Sequence, residues 1–312
     1  MIPLRFPFAP FFGGLAIAMF CLPAYAVARN GFDLSNATIP QSEIMLGGPP
    51  RDGIPSIDAP KFVPTGEVSF LKDGDLLIGL NRGGKARAYP LRILVWHEIV
   101  NDTVSGEPVA VTYCPLCGTA MVFNARLEGG RRSFGVSGLL YQSDVLMYDR
   151  ETESLWSQLK MEAVSGPEVG KKLTLLLSEQ MTWKAWREKY PDGEVLSPDT
   201  GHHREYGGNA YASYFASEDI MFPVPHVRRE LPNKTKVVGI IIDGQSKAYP
   251  LDQLPDKTVV RDRLANKEIE IWWDRSAHEP RVTTLVGESL PSVVAFWFAW
   301  QAFYPDTELW RP

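Results

Sequence analysis

The 312-residue chain has only three cysteines, no surplus of basic charge and no apolar run of membrane-spanning length. Each lack excludes a class of protein. Three cysteines cannot frame a disulfide-stapled fold, and a chain this long buries enough surface not to need one. Lys and Arg number 32 against 37 Asp and Glu, a net charge of −5, with no block of like charges. The clustered basic face of a nucleic-acid binder is therefore missing. No GxxxxGK[ST], HExxH, GxSxG or EF-hand pattern occurs, so the common phosphate, zinc-protease, serine-hydrolase and calcium templates do not apply. The Gly-rich run Phe134-Gly135-Val136-Ser137-Gly138 lacks the lysine a phosphate loop needs, and no nucleotide is expected. What is present is ordinary globular composition, 45 % hydrophobic and 22 % charged, enough for one large or two modest domains.

The N-terminus reads as an address. Arg5 precedes an apolar stretch at 11–22, and Ala24-Tyr25-Ala26 follows as a small-x-small cleavage signature. That is the plan of a secretory signal peptide over residues 1–26, the alternative being an uncleaved anchor. The apolar stretch is shorter than the ~20 residues of a spanning helix. A periplasmic or secreted protein with no membrane anchor after cleavage is expected. Cleavage removes Arg5 and Cys21 and leaves Cys114 and Cys117.

Residues 27–64, rich in Pro, Gly, Ser and Asn, read as an extended arm. From there the chain becomes short apolar runs bounded by Gly and Asp, the texture of strands and hairpins. It also resembles itself. Ile78-Gly79-Leu80 through Ala88-Tyr89-Pro90-Leu91 matches Val238-Gly239-Ile240 through Ala248-Tyr249-Pro250-Leu251 at an offset of 160, continuing through Asp102 and Asp262. Trp186 with Tyr190-Pro191-Asp192 matches Trp300 with Tyr304-Pro305-Asp306 at an offset of 114. The fall in offset places 46 extra residues in the first half. The expectation is an α+β, β-rich fold of two tandem related units packed as one body: a first unit at 65–224 with a Cys-containing insertion, and a degenerate second at 225–312. The apolar run Val293–Trp300 is too short to span a membrane and reads as a buried core helix.

The densest chemical signal is Thr112-Tyr113-Cys114-Pro115-Leu116-Cys117-Gly118. Together with AYPLRIL, HEIVND and FGVSGLLYQSDVLMYDRETESLWSQL it resembles the domain of unknown function family 3179, from about residue 65 to 225. That resemblance implies a protein often exported, points to the same residues, and names no substrate.

Three readings of the CxxC pair stand side by side. A CPxCG turn sets both sulfurs on one side, the shape of a metal knuckle suited to zinc or copper(I). Further ligands would come from His97, in Trp96-His97-Glu98, or from His202 and His203 in a Gly-rich loop with Arg204 and Glu205. His226 and His278 are the other histidines, and Met121 or Met147 suit copper(I). The second reading is a dithiol–disulfide oxidoreductase, with Cys114 attacking and Cys117 resolving. The following residues look strand-like rather than helical, which weakens it. The third is a structural disulfide that staples a turn in a binding module, with Trp156 and Tyr148 lining a groove. A Cys nucleophile assisted by His97 is a lesser variant. No haem is expected, because Gly118 rather than His follows Cys117. Polar groups at Ser143-Asp144 and Asp149-Arg150-Glu151-Thr152 flank an apolar triplet, and the latter reads as a hairpin turn or as part of a site.

Overall fold

A tyrosine and an aspartate thirteen residues apart explain why the AYPL segment recurs. In the computed structural model, which describes residues 28–312, Lys85–Pro90 pairs antiparallel with Leu76–Arg82, and Gln245–Pro250 with Lys236–Ile242. Tyr89 is buried at the end of its strand and donates its hydroxyl to Asp102 at 2.6 Å; Tyr249 does the same to Asp262 at 3.0 Å. Arg87 pairs with Asp102 and Glu194, and Lys247 with Asp262 and Glu308. A buried carboxylate needs such partners, so the motif is a satisfied polar cluster linking one sheet to the next.

The protein is β-rich: among the described residues 41 % are strand and 10 % helix, and the five sheets larger than a strand pair make a five-bladed, propeller-like ring. Two sheets share one plan. In the first, the order is Glu179–Thr182, Leu76–Arg82, Lys85–Pro90, Glu194–Leu196 and Phe62–Pro64. In the second it is Val293–Phe296, Lys236–Ile242, Gln245–Pro250 and Glu308–Leu309. Register agrees as well: Leu77 faces Pro90 as Val237 faces Pro250, and Arg87 runs parallel to Glu194 as Lys247 to Glu308. Two three-stranded sheets also match. Ile99–Val104, Glu107–Cys114 and Thr119–Asn124 correspond in register to Val260–Leu264, Lys267–Asp274 and Glu279–Thr284. The fifth sheet is formed by Glu162–Ser165, Leu155–Ser157, Asp144–Asp149 and Phe134–Tyr141. All four lie in 125–178, between Thr119–Asn124 and Glu179–Thr182, whereas only 285–292 separate Glu279–Thr284 from Val293–Phe296. From residues 27–64 come the edge strands Ile44–Leu46 and Phe62–Pro64.

The run Val293–Trp300 is not one helix. It splits into a strand, Val293–Phe296, and a helix, Trp297–Phe303. β-Branched Val293 and Val294 fit the sheet, and the aromatic residues turn inward beyond it. Both seven-residue helices, Trp183–Lys189 and Trp297–Phe303, end one residue before a Tyr-Pro, as proline's restriction of its predecessor requires. No helix among the described residues is long and apolar enough to cross a membrane. The expected signal peptide and Cys21 lie outside the described residues.

Each helix is docked through a tryptophan laid on a glycine. A Cβ at Gly79 would fall inside the Trp186 ring, and one at Gly239 inside the Trp300 ring. Both indoles are fully buried, so neither can yield. Gly79→Ala and Gly239→Ala should each destabilise the fold by about 1–3 kcal/mol through overpacking. Urea unfolding measures this, and an unchanged midpoint in either variant would refute the packing assignment.

Candidate metal centre

The knuckle is a hairpin end. Glu107–Cys114 runs to Cys114, which pairs with Thr119, and Pro115-Leu116-Cys117-Gly118 closes the loop. Gly118 sits at φ +63°, where L side chains are strained. A Cβ there would also meet the Phe296 ring at 3.0 Å. The loop is held from outside: Phe296 N–H donates to Cys117 O at 2.8 Å and Tyr214 hydroxyl to Leu116 O at 2.8 Å. Both cysteines are free thiols and essentially inaccessible.

A second hairpin tip meets the thiols. Phe134–Tyr141 and Asp144–Asp149 are joined by Gln142-Ser143, both at positive φ, the geometry of a two-residue turn matched to strand twist. This turn points Ser143 O at Cys117 Sγ, 3.3 Å away, and at Cys114 Sγ, 3.9 Å away. It also sets Asp144 beside them. One atom each from Cys114, Cys117 and Asp144 lies within 4.8 Å of the others, and all three residues are buried. Asp144 Oδ2 accepts from Leu159 N–H at 2.9 Å. Asp144 Oδ1 and Ser143 Oγ are buried without a hydrogen-bond partner.

Acidic groups gather here without a base. Burial pushes the Asp144 carboxyl up to about 7, against the hydrogen bonds it accepts. Glu98, at φ +59°, is pushed up to about 8, by burial first and then by the charge of Asp144. Both thiols are raised, chiefly by burial, Cys117 the more strongly. The phenols of Tyr113, Tyr211 and Tyr214 are raised for the same reason. Among the described residues no basic side chain forms an ion pair with Glu98 or Asp144. An attacking thiol needs a depressed pKa and a donor or cation beside it; burial moves both thiols the other way.

His97 and His202 lie together, apart from the thiols. His97 Nδ1 lies 2.7 Å from Pro55 O, and His97 Nε2 lies 2.6 Å from the Tyr206 hydroxyl, which meets Thr200 Oγ1 at 2.6 Å. The His202 ring packs 5.3 Å from that of His97. His97 is wholly buried, whereas His202, His203, Arg204 and His226 are exposed. No histidine belongs to the Cys114–Cys117–Asp144 group. His278 stacks edge-on with Trp273 on the other half. Met121 and Met147 share the cysteines' hydrophobic cluster. Trp156 and Tyr148 are buried, Trp156 donating its indole N–H to Asp149 Oδ2 at 2.8 Å and Tyr148 its hydroxyl to Asp52 Oδ2 at 2.5 Å. Asp149-Arg150-Glu151-Thr152 is a turn, with Asp149 Oδ1 accepting from Thr152 N–H at 2.7 Å. Sequence reasoning left Glu98 without a role, and a carboxylate in the middle of HEIVND was the available signal.

A β-rich fold thus encloses a thiol–carboxylate knuckle. The family model described as "Protein of unknown function (DUF3179)" matches residues 51–289, and the chain belongs to that family. No curated protein and no solved structure matches it.

His97 gives the site's surroundings a pH dependence. Its pKa is lowered from 6.5 to about 4, first by burial, with His202 and Arg204 adding to the fall. The folded value lies below the unfolded one, so protonation favours the unfolded chain. The stability held by neutral His97 is complete above pH 6.5 and is lost as pH falls toward about 4. Denaturation of wild type and His97→Gln over this interval should show the gap between them shrinking as pH falls. A gap independent of pH would mean that the ring is not held neutral.

Proposed function

We propose that this is an exported metal-binding protein in which Cys114, Cys117 and Asp144 hold one cation, zinc in preference to copper(I). The observation that carries the reading is the buried group itself, three donor atoms within 4.8 Å with Asp144 Oδ1 left unpartnered. Zinc takes four ligands of mixed sulfur, nitrogen and oxygen. Two thiolates, the carboxylate and an oxygen of Ser143, carbonyl or hydroxyl, make such a set. Copper(I) is content with soft ligands, and the oxygen donors here add nothing for it. Charge points the same way. Two thiolates and a carboxylate carry three negative charges, which a divalent ion leaves less unbalanced in a buried site.

The raised thiol pKa values do not oppose this. Each tenfold fall in a thiol's acidity adds about 1.4 kcal/mol to the cost of forming its thiolate. A structural zinc site in small peptides is worth roughly 10–16 kcal/mol, enough to deprotonate two buried thiols. The closed burial fits a structural or storage site better than a catalytic one, which keeps a position open.

We also propose that 65–224 and 225–312 are copies of one unit. Support comes from a reciprocal seam: Thr182 N–H donates to Ala277 O, and Phe296 N–H to Cys117 O, each at 2.8 Å. These are equivalent positions at the offsets of 114 and 160, as a two-fold arrangement of like units would produce. On this reading the knuckle belongs to the repeated unit, and the extra sheet brings Asp144 to it. Export rests on the N-terminal sequence.

Metal analysis with a thiol count tests the proposal, on protein purified from the exported fraction and again under anaerobic reduction. About one zinc per chain is expected, lost in Cys114→Ser and Cys117→Ser and bound at least about tenfold more weakly in Asp144→Asn. His97→Ala, His202→Ala and His203→Ala should retain it. Metal-free, folded protein that stays metal-free on zinc titration would refute the reading. A readily cycling disulfide in that protein would favour thiol exchange instead.

A further inference from the structure

We propose that the cavity beside the knuckle binds a small organic monoanion, a carboxylate on an apolar or aromatic body, with Lys236 as its counter-charge. The cavity measures about 530 Å³, within the range of sites that enclose small molecules. It opens where three parts of the chain meet. Tyr113 and Gly118 contribute from the knuckle hairpin, Asn209, Phe215 and Glu218 from the irregular segment that covers it, and Lys234, Lys236 and Phe296 from the later half. None of Cys114, Cys117 or Asp144 lines it, so the proposal does not rest on the metal reading.

The charges around the cavity leave one cation over. Arg92 is paired with Asp75 at 2.7 Å and donates to the carbonyls of Phe70 and Tyr206. Lys234, in no ion pair among the described residues, donates to the carbonyls of Tyr214 and Ser217 and is offset by the nearby charges of Glu218 and Asp219. Lys236 makes no ion pair among the described residues. Solvent reaches it, yet enough protein surrounds it that burial pulls its pKa down, with no opposing charge to raise it. An ammonium so placed is stabilised by an anion entering beside it.

The rest of the lining defines the anion. Leu91, Val95, Phe215 and Phe296 make apolar walls. Lys236 starts its strand where the first half has Leu76, which also lines the cavity. The uncompensated charge therefore enters from the later half, and a bound molecule would point its carboxylate at Lys236 and lay its apolar body along Leu91, Phe215 and Phe296. Glu218 also faces the cavity, so a dianion such as a phosphate monoester would bring a second negative charge with no free cation to meet it. Gln180 and Asn209 offer neutral amides.

The test uses the full mature chain with 3-phenylpropanoate and its uncharged amide as probes, followed by ligand-observed NMR and calorimetry. The acid should bind about tenfold tighter than the amide. Lys236→Met should abolish that preference while leaving amide binding and the unfolding midpoint unchanged. Lys236→Arg should keep it, and Asp144→Asn should not alter it. Equal affinity for acid and amide, a preference that survives Lys236→Met, or no saturation by either probe at about 10 mM would overturn the assignment.

Discussion

Burying acids without a base is the constraint around which the centre of this protein is organised. Cys114, Cys117 and Asp144 meet where water does not reach, and Glu98, buried on a third segment, lies near enough to feel the charge of Asp144. Such a group is tolerable only when neutralised, by protons or by a metal ion. The upward displacement of every one of these groups expresses the same fact. The site cannot relax by moving apart, because each segment is fixed by bonds that do not involve the acids. Cys117 O is tied to Phe296, Leu116 O to Tyr214, Glu98 O to the Tyr113 N–H, and Val145 O, next to Asp144, to the Gln158 N–H.

The same packing explains why the later half matters to a site it does not enter. Phe296 supplies the hydrogen bond to Cys117 and the ring that a Cβ at 118 would press against at 3.0 Å. The cover segment adds Tyr211, Tyr214 and Phe215 in mutual ring contact, with Phe215 against Phe296. Burial of the thiols is therefore shared between halves of the chain distant in sequence. Those contacts also form the walls of the neighbouring cavity, so knuckle and cavity are two faces of one packing arrangement.

Much of this was legible in the sequence because it was local or repeated. The AYPL segments, the aspartates that follow them and the Tyr-Pro helix ends are short-range signals, and each marks a turn, a buried tyrosine or a helix stop. The 46-residue difference in spacing pointed to the stretch that carries the fifth sheet. Pairing across that distance was not legible. Asp144 lies 27 residues beyond Cys117, and only the packing of two hairpin tips from different sheets brings it back to the knuckle. His97 drew attention as a ligand type near the cysteines, but its two nitrogens are taken by Pro55 and Tyr206. Val293–Trp300 misled for a related reason: wholly buried strand and helix lack a polar face, so periodicity cannot divide them.

The later half also bears on why the cysteines are there. Its hairpin from Asp274 to Glu279 closes a loop of the same length in the same register, with His278 at φ +52° where Gly118 stands at +63°. It does so without sulfur. Asp274 Oδ1 accepts from Ser276 Oγ at 2.6 Å and from Ala277 N–H at 3.0 Å, which is enough to hold the turn. A disulfide is therefore not what this loop needs in order to form. If turn geometry were the only demand, polar capping would meet it at Cys114 as it does at Asp274, without burying two ionisable thiols beside a carboxylate. The thiols answer to something outside the hairpin. What the structure puts there is the Ser143–Asp144 turn, with its unpartnered oxygen facing the same small space.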